Sequence, residues 1–232
     1  MPRRTNYRGR PVAFPLGALL LAAALAALVV GGSRWLIFLC GVGALGLIDD
    51  LADRAPRGWR GHGRALLRGE LSTGALKAAG TLGLAAYAAA GEGASGTAYG
   101  VEVGMLTLAA HAGNLLDTRP GRCEKGLVLT AALCCVAAGG YAPLAQIAPL
   151  IAPVAVAGWL TLRERAMLGD SGASLTGGMA GICLISALSG AAAYAAFAAL
   201  IAISLYGEFR SISTAIERVP LLDRLDSLGR SS

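Results

Sequence analysis

Asp49, Asp50, Asp117 and Asp170 stand at the ends of apolar segments in a chain with only 14 acidic residues. An ionised carboxylate beside hydrocarbon is costly, so it usually faces a partner, a cavity or a metal. These acids recur after three separate apolar runs, always on the same expected side. The pattern predicts one shared site for a divalent cation, and chemistry on phosphates at a membrane surface. Asp49 and Asp50 are adjacent, and neighbouring carboxylates repel unless a cation offsets them. A hard cation such as Mg²⁺ takes oxygen ligands, uses one or two carboxylates, and leaves positions for water and phosphate. The alternative is that the pair caps the next segment or meets Arg54, Arg57 or Arg60.

The second group is His111-Ala112-Gly113-Asn114-Leu115-Leu116-Asp117. On a continuing helix, Asn114 and Asp117 share one face and offer an amide and a carboxylate to one point. Arg119-Pro120-Gly121-Arg122 follows as a turn with two guanidiniums suited to bidentate phosphate contacts, or to a positive-inside anchor. The third group is Gly169-Asp170-Ser171-Gly172, where Ser171 is placed to cap the following helix. That helix N-terminus would favour a bound phosphate. Lys77 is read either as a snorkelling residue or as a cation for phosphate. Neither His62 nor His111 belongs to a metal-ligand cluster, and Glu92 and Glu102 fall toward the other side. Cys40, Cys123, Cys134, Cys135 and Cys183 lack zinc-ligand spacing and read as small packing residues.

The elements that must position these groups are apolar helices. The chain is 55% hydrophobic and 15% charged, with mean hydropathy +0.61. Soluble domains carry about a quarter charged residues. Apolar runs near 12–30, 35–48, 74–90, 98–113, 127–142, 144–161, 173–190 and 191–207 predict eight transmembrane helices in one domain, 1–232. The fold class expected is all-α, a polytopic helical membrane bundle with both termini cytoplasmic. Of the 20 Lys and Arg, all but Arg34 fall on one face, which the positive-inside rule makes cytoplasmic. Residues 1–11 form a basic cytoplasmic lead, and the first span is read as uncleaved because more spans follow. Residues 208–232 form an amphipathic tail, with Ile212, Ile216 and Val219 and then Leu221, Leu222, Leu225 and Leu228 on stripes. Two short helices in the interface, or a cover over the bundle end, both suit it. The 33 glycines suit close helix packing and are compatible with a homodimer. No nucleic-acid module is present, and the net charge of +6 is accounted for by topology.

Gly46-Leu47-Ile48-Asp49-Asp50, Leu71 to Lys77, Asn114-Leu115-Leu116-Asp117 and Met167-Leu168-Gly169-Asp170-Ser171-Gly172-Ala173-Ser174 resemble, in order, the polyprenyl-phosphate sugar-1-phosphate transferases, which include phospho-N-acetylmuramoyl-pentapeptide transferase. Asn6-Tyr7-Arg8-Gly9-Arg10-Pro11 is similar to the family's first cytoplasmic loop. The resemblance implies an enzyme that moves a phospho-sugar from a nucleotide diphosphate sugar, by default UDP-linked, to polyprenyl phosphate. It implies Mg²⁺ or Mn²⁺, release of the nucleoside monophosphate, and a multi-pass place in the inner membrane for cell-surface glycan synthesis. It makes Asp50 and Asp170 the metal or catalytic candidates, with Asp49 orienting the lipid phosphate. Asn114 and Asp117 would position metal or nucleotide, and Lys77 would hold phosphate. Ser171, Arg119 and Arg122 complete the candidate substrate contacts.

The chain departs from that family at Pro120, where a second Asp is usual, and at Ser211–Pro220, where a histidine-rich motif is usual. The rival reading is therefore a non-catalytic relative acting as a lipid-binding or partner protein. A flippase would need polar residues at mid-membrane depth. A CDP-alcohol phosphotransferase would gather its aspartates into one continuous motif.

Overall fold

The computed structural model describes residues 3–52, 72–91 and 93–230. Arg54, Arg57, Arg60, His62, Leu71 and Glu92, all named above, lie outside the described residues, as do Arg64 and Arg68 of the basic face. Among the described residues the architecture is all-helical apart from one small hairpin. Strands β1 (Arg3–Thr5) and β2 (Pro11–Ala13) pair antiparallel, with Arg4 opposite Val12. Helices α1 (Gly17–Val30), α2 (Arg34–Leu51), α3 (Thr73–Ala89) and α4 (Gly96–Leu116) follow. Next come α5 (Arg122–Ala138), α6 (Ala142–Ala145), α7 (Ala148–Leu162) and α8 (Gly169–Ala187). Helix α9 (Gly190–Phe209) and the short α10 (Ile212–Glu217) and α11 (Pro220–Ser227) close the chain.

Local chemistry sets these limits. Ser33 and Ser72 accept from the Leu36 and Ala75 N–H groups, each at 3.2 Å, and so satisfy first-turn donors of α2 and α3. Pro143 and Pro149 sit in the first turns of α6 and α7, where a missing N–H costs least. They divide what the sequence suggests is one span over 144–161. The first apolar segment also starts later than its composition suggests. Val12 belongs to β2, which pairs onward with the segment before α8: Met167 N donates to Ala13 O at 2.9 Å, and Ala13 N to Arg165 O at 3.2 Å. The basic lead is thus a hairpin, turned by Asn6, whose Oδ1 accepts from the Arg8 and Arg10 N–H groups at 2.9 Å each.

Helix α8 is the axis of the molecule and packs against α1, α2, α4 and α5. It can do so because its sequence, Gly-Asp-Ser-Gly-Ala-Ser-Leu-Thr-Gly-Gly-Met-Ala-Gly, presents little side chain to its neighbours. At Gly46 of α2, a Cβ would lie 2.5 Å from the Asp170 carbonyl oxygen, and at Gly113 of α4 it would strike the Ala173 carbonyl. Such approach without water between helices is the packing mode of membrane bundles. Phe38, Leu39, Leu106, Leu175, Met179 and Ile182 fill the core around this axis. A second, smaller cluster (Val101, Met105, Ala109, Ala112 and Leu200) joins α4 to α9.

Among the described residues, α9 is the one helix long and apolar enough to cross a bilayer. Helices α1 and α7 are apolar but shorter.

Candidate functional site

The four aspartates converge at one end of the bundle, and the fold divides them into two pairs. Asp50 and Asp117 hold the start of α8. Asp50 Oδ1 accepts from Asp170 N at 2.8 Å, and its Oδ2 accepts from Ser171 N at 2.9 Å and Ser171 Oγ at 2.7 Å. Asp117 Oδ2 accepts from Gly169 N at 3.1 Å. Three successive amides at a helix N-terminus would otherwise be orphans, and two carboxylates satisfy them while meeting the positive end of the helix dipole. Gly169 has φ +75°, which lets the chain turn into α8 there, and a Cβ at this position would sit 2.8 Å from Asp50 Oδ2. Asp117 is closely enclosed by protein: burial pushes its carboxyl well above the usual range, with Glu124 and Asp170 adding repulsion.

This arrangement revises three expectations. Asp50, expected to hold metal, is buried with both oxygens engaged as a cap. Ser171, expected to cap the helix and touch substrate, is fully buried inside its first turn and donates to Asp50. The α8 N-terminus, expected to favour a phosphate, already has its amides occupied by side chains of the same chain.

Asp49 and Asp170 form the open pair. Lys77 stands between them, its Nζ 2.8 Å from Asp170 Oδ2 and 3.8 Å from Asp49 Oδ2. Thr73 Oγ1 donates to Asp49 Oδ1 at 2.6 Å. Oriented so that both ends of its amide are satisfied, Asn114 accepts from Lys77 Nζ at 3.0 Å and donates to the Asp170 carbonyl at 3.3 Å. The Asp170 side chain stays 43% exposed and Asp49 19% exposed. They face a cleft of about 520 Å³ between α3, α4 and α9, whose walls include Thr81, His111, Ser174, Ser204 and Glu208.

Arg119 and Arg122 are not part of this cleft lining. Arg122 is buried and engaged by three partners: Nε and Nη2 donate to the Asp226 carboxylate at 2.9 and 2.7 Å, and Nη1 donates to Thr118 and Ser213 at 2.8 Å each. Arg119 pairs with Glu217 at 3.0 Å and stacks on Tyr7. Both expected phosphate contacts therefore bind the C-terminal helices to the α4–α5 turn, because those helices bring acids of opposite charge to them. Burial alone would raise the Asp226 carboxyl, but hydrogen bonds and charge from Arg122 and Arg230 hold it below its ordinary value.

Thr73 and Ser174 were missed by the sequence reading. Each lies four residues from a member of the cluster, Thr73 before Lys77 and Ser174 after Asp170, so helical spacing was the available signal.

Asp49 and Asp170, with the Asn114 amide beside them, suit a hydrated Mg²⁺ or Mn²⁺, which needs one or two carboxylates and completes its shell with water and phosphate oxygens. The Lys77 ammonium already stands where positive charge is required. Among the described residues, no group of three or more His, Cys, Asp or Glu is placed to hold a metal ion, so protein carboxylates alone would give such a cation two ligands here. Comparison of the chain with protein-family models, curated proteins and solved structures finds no match.

Proposed function

We propose that the protein is a multi-pass membrane phosphoglycosyl transferase, moving a phospho-sugar from a nucleotide diphosphate sugar to polyprenyl phosphate at the cytoplasmic face. The observation that carries this reading is the Asp49–Lys77–Asp170 constellation with Asn114, open to a cleft at the bundle end. The membrane setting is supported by the apolar α9, by large exposed side chains such as Val29, Leu133, Val136 and Phe209, and by the grouping of basic residues.

In the reaction, an oxygen of the lipid phosphate forms a bond to the sugar-bearing phosphorus of the donor. The bond from that phosphorus to the bridging oxygen breaks, and the nucleoside monophosphate leaves. Lys77 offsets phosphate charge as it meets phosphorus, and Asn114 fixes where its ammonium points. Asp49, held by Thr73, orients the incoming lipid phosphate. A bound Mg²⁺, held by Asp49 and Asp170, would supply charge neutralisation on the pyrophosphate. Asp50 and Asp117 act one step removed, by fixing the turn that carries Asp170.

A second reading, a non-catalytic relative that binds lipid or a partner protein, is favoured by that same use of Asp50 and Asp117 as caps, which gives them a structural role without catalysis. Release of nucleoside monophosphate separates the two. The assay takes purified protein in detergent, polyprenyl phosphate, Mg²⁺ and a panel of UDP- and CDP-linked sugars. Release that needs lipid, metal, Asp49 and Asp170 supports the transferase. Folded protein that releases nothing across the panel supports the non-catalytic relative.

A further inference from the structure

The opposite side of α8 carries a larger hollow with different chemistry. Asp170 and Ser174 line the acidic cleft, whereas Met179, about two and a half turns beyond Asp170 and so on the other face, lines a groove between α5, α6 and α7. The groove holds about 1310 Å³. It runs from Gly121 and Leu162 at the basic end of the bundle to Gly139 and Tyr141 at the other. Glu124 and Lys125 line it near the Gly121 end, Glu124 accepting from Thr161 Oγ1, and the rest of the wall is apolar, with Val128, Ala132, Ile151 and Ala155 among its residues. Helices α5 and α7 touch little along their lengths, so the hollow is a trench open to the side.

The basic end of the trench is marked by charge. Trp159 lies on its wall, and the guanidiniums of Arg163 and Arg165 stand 5.5 and 5.0 Å from the Trp159 ring centre. Both arginines are exposed, and among the described residues neither has an ion-pair partner. The acid between them, Glu164, does not neutralise them. Its side chain is turned inward and takes Asn6, Tyr7 and Arg8 of the hairpin as partners. Glu164 has φ +51°, and the arginines on either side of it are exposed while the acid is buried. A tryptophan with two free guanidiniums at the mouth of an apolar trench matches an interfacial anchor for a phosphate on a hydrocarbon tail.

We propose that this trench binds one anionic phospholipid of the cytoplasmic leaflet, its phosphate held by Arg163 and Arg165 beside Trp159 and an acyl chain lying between α5 and α7. The proposal rests on the membrane setting given above but not on the transferase reaction. The acidic cleft and the trench are separated by α8, so the lipid here is a bound structural or regulatory ligand rather than the reacting phosphate.

The test is native mass spectrometry of the full chain released from nanodiscs of phosphatidylcholine containing a minority of phosphatidylglycerol. Wild type should retain phosphatidylglycerol over phosphatidylcholine by about thirtyfold relative to the nanodisc composition, the scale expected from two arginines at a membrane surface. The R163A/R165A variant should retain the two lipids in the ratio supplied. Ala155→Phe, at an exposed wall position, should remove tightly held lipid of either kind while the protein still enters nanodiscs. Absence of enrichment in wild type, or enrichment that survives R163A/R165A, overturns the proposal. A dimer that Ala155→Phe dissociates also overturns it, and assigns the trench to a second copy of the chain. Protein that fails to enter nanodiscs overturns the membrane setting as well. Nucleotide release is not read in this experiment, so the fate of the transferase reading is decided separately.

Discussion

Asp50 and Asp170 look alike in the sequence, each a carboxylate at the end of an apolar run, yet they do opposite work. Asp50 accepts three hydrogen bonds in a buried place, whereas Asp170 presents its oxygens to Lys77 and the cleft. Removing them should therefore have different consequences. Asp50→Ala leaves two amides and a hydroxyl without an acceptor, and should cost about 1–3 kcal/mol in thermal or denaturant unfolding in detergent. Asp170→Asn should leave the unfolding midpoint near wild type and lower nucleoside monophosphate release by about 100-fold or more. Lys77→Met should act on release in the same direction. Asp117 gives a finer test. Asparagine keeps an oxygen for the Gly169 N–H, so Asp117→Asn should unfold within about 0.5 kcal/mol of wild type and Asp117→Ala should not. Loss of release in a stable Asp117→Asn protein would show that Asp117 acts on the substrate as well as on the helix.

Among the elements, α8 places the site, and α11 covers the α4–α5 turn. Helix α8 carries Asp170 and is fixed by backbone approach at Gly46 and Gly113. Adding a methyl group at either glycine forces two helices apart in a packed interior. Gly46→Ala should cost about 1–3 kcal/mol and reduce activity together with stability, because Asp170 moves with the helix. Helix α11 is held to the bundle by Arg122 on Asp226, whose side chain is only 6% exposed, and by Lys125 on the Leu225 and Asp226 carbonyls. The Asp226 carboxyl titrates below its ordinary value when docked. Its contribution is thus fully present above the unfolded value of about 3.9 and is lost as pH falls through the lower folded value. Docking of α10 and α11, read by limited proteolysis of residues 211–230, should be level from neutral pH to about pH 5 and weaken only below about pH 4. Asp226→Asn should loosen the same segment at neutral pH. The two readings of the tail are compatible at this level. The acidic edge of α11 faces the bundle, while Leu221, Leu222, Leu225 and Leu228 remain exposed on it.

For the molecule as a whole, the basic face, the acidic cleft and the α10–α11 cover all lie at one end. In the proposed membrane setting, the positive-inside argument would make that end cytoplasmic. The expected outcome is a protein that resists alkaline carbonate extraction and places both termini in the cytoplasm, checked with reporters fused at each end. An extractable protein, or termini on opposite sides, would contradict the multi-pass reading. The all-helical class and most helix positions were legible in the sequence, because apolar runs and their Gly, Pro and Ser limits act locally. Residues 35–48, 74–90 and 98–113 fall inside α2, nearly inside α3 and inside α4, respectively. The convergence of the four aspartates was legible too, since it needs only that alternate helix ends share a side. What the sequence could not tell was which carboxylate caps and which stays open, or that Arg119 and Arg122 spend their charge on Glu217 and Asp226. It also did not show that the basic lead is a hairpin tied to Glu164. Those outcomes depend on partners far apart in the chain, 121 residues in the case of Asp50 and Ser171. Composition and periodicity determine that a helix forms and which end is polar. Only the packing of α8 against α2 and α4 decides which oxygen finds an amide and which is left facing the cleft.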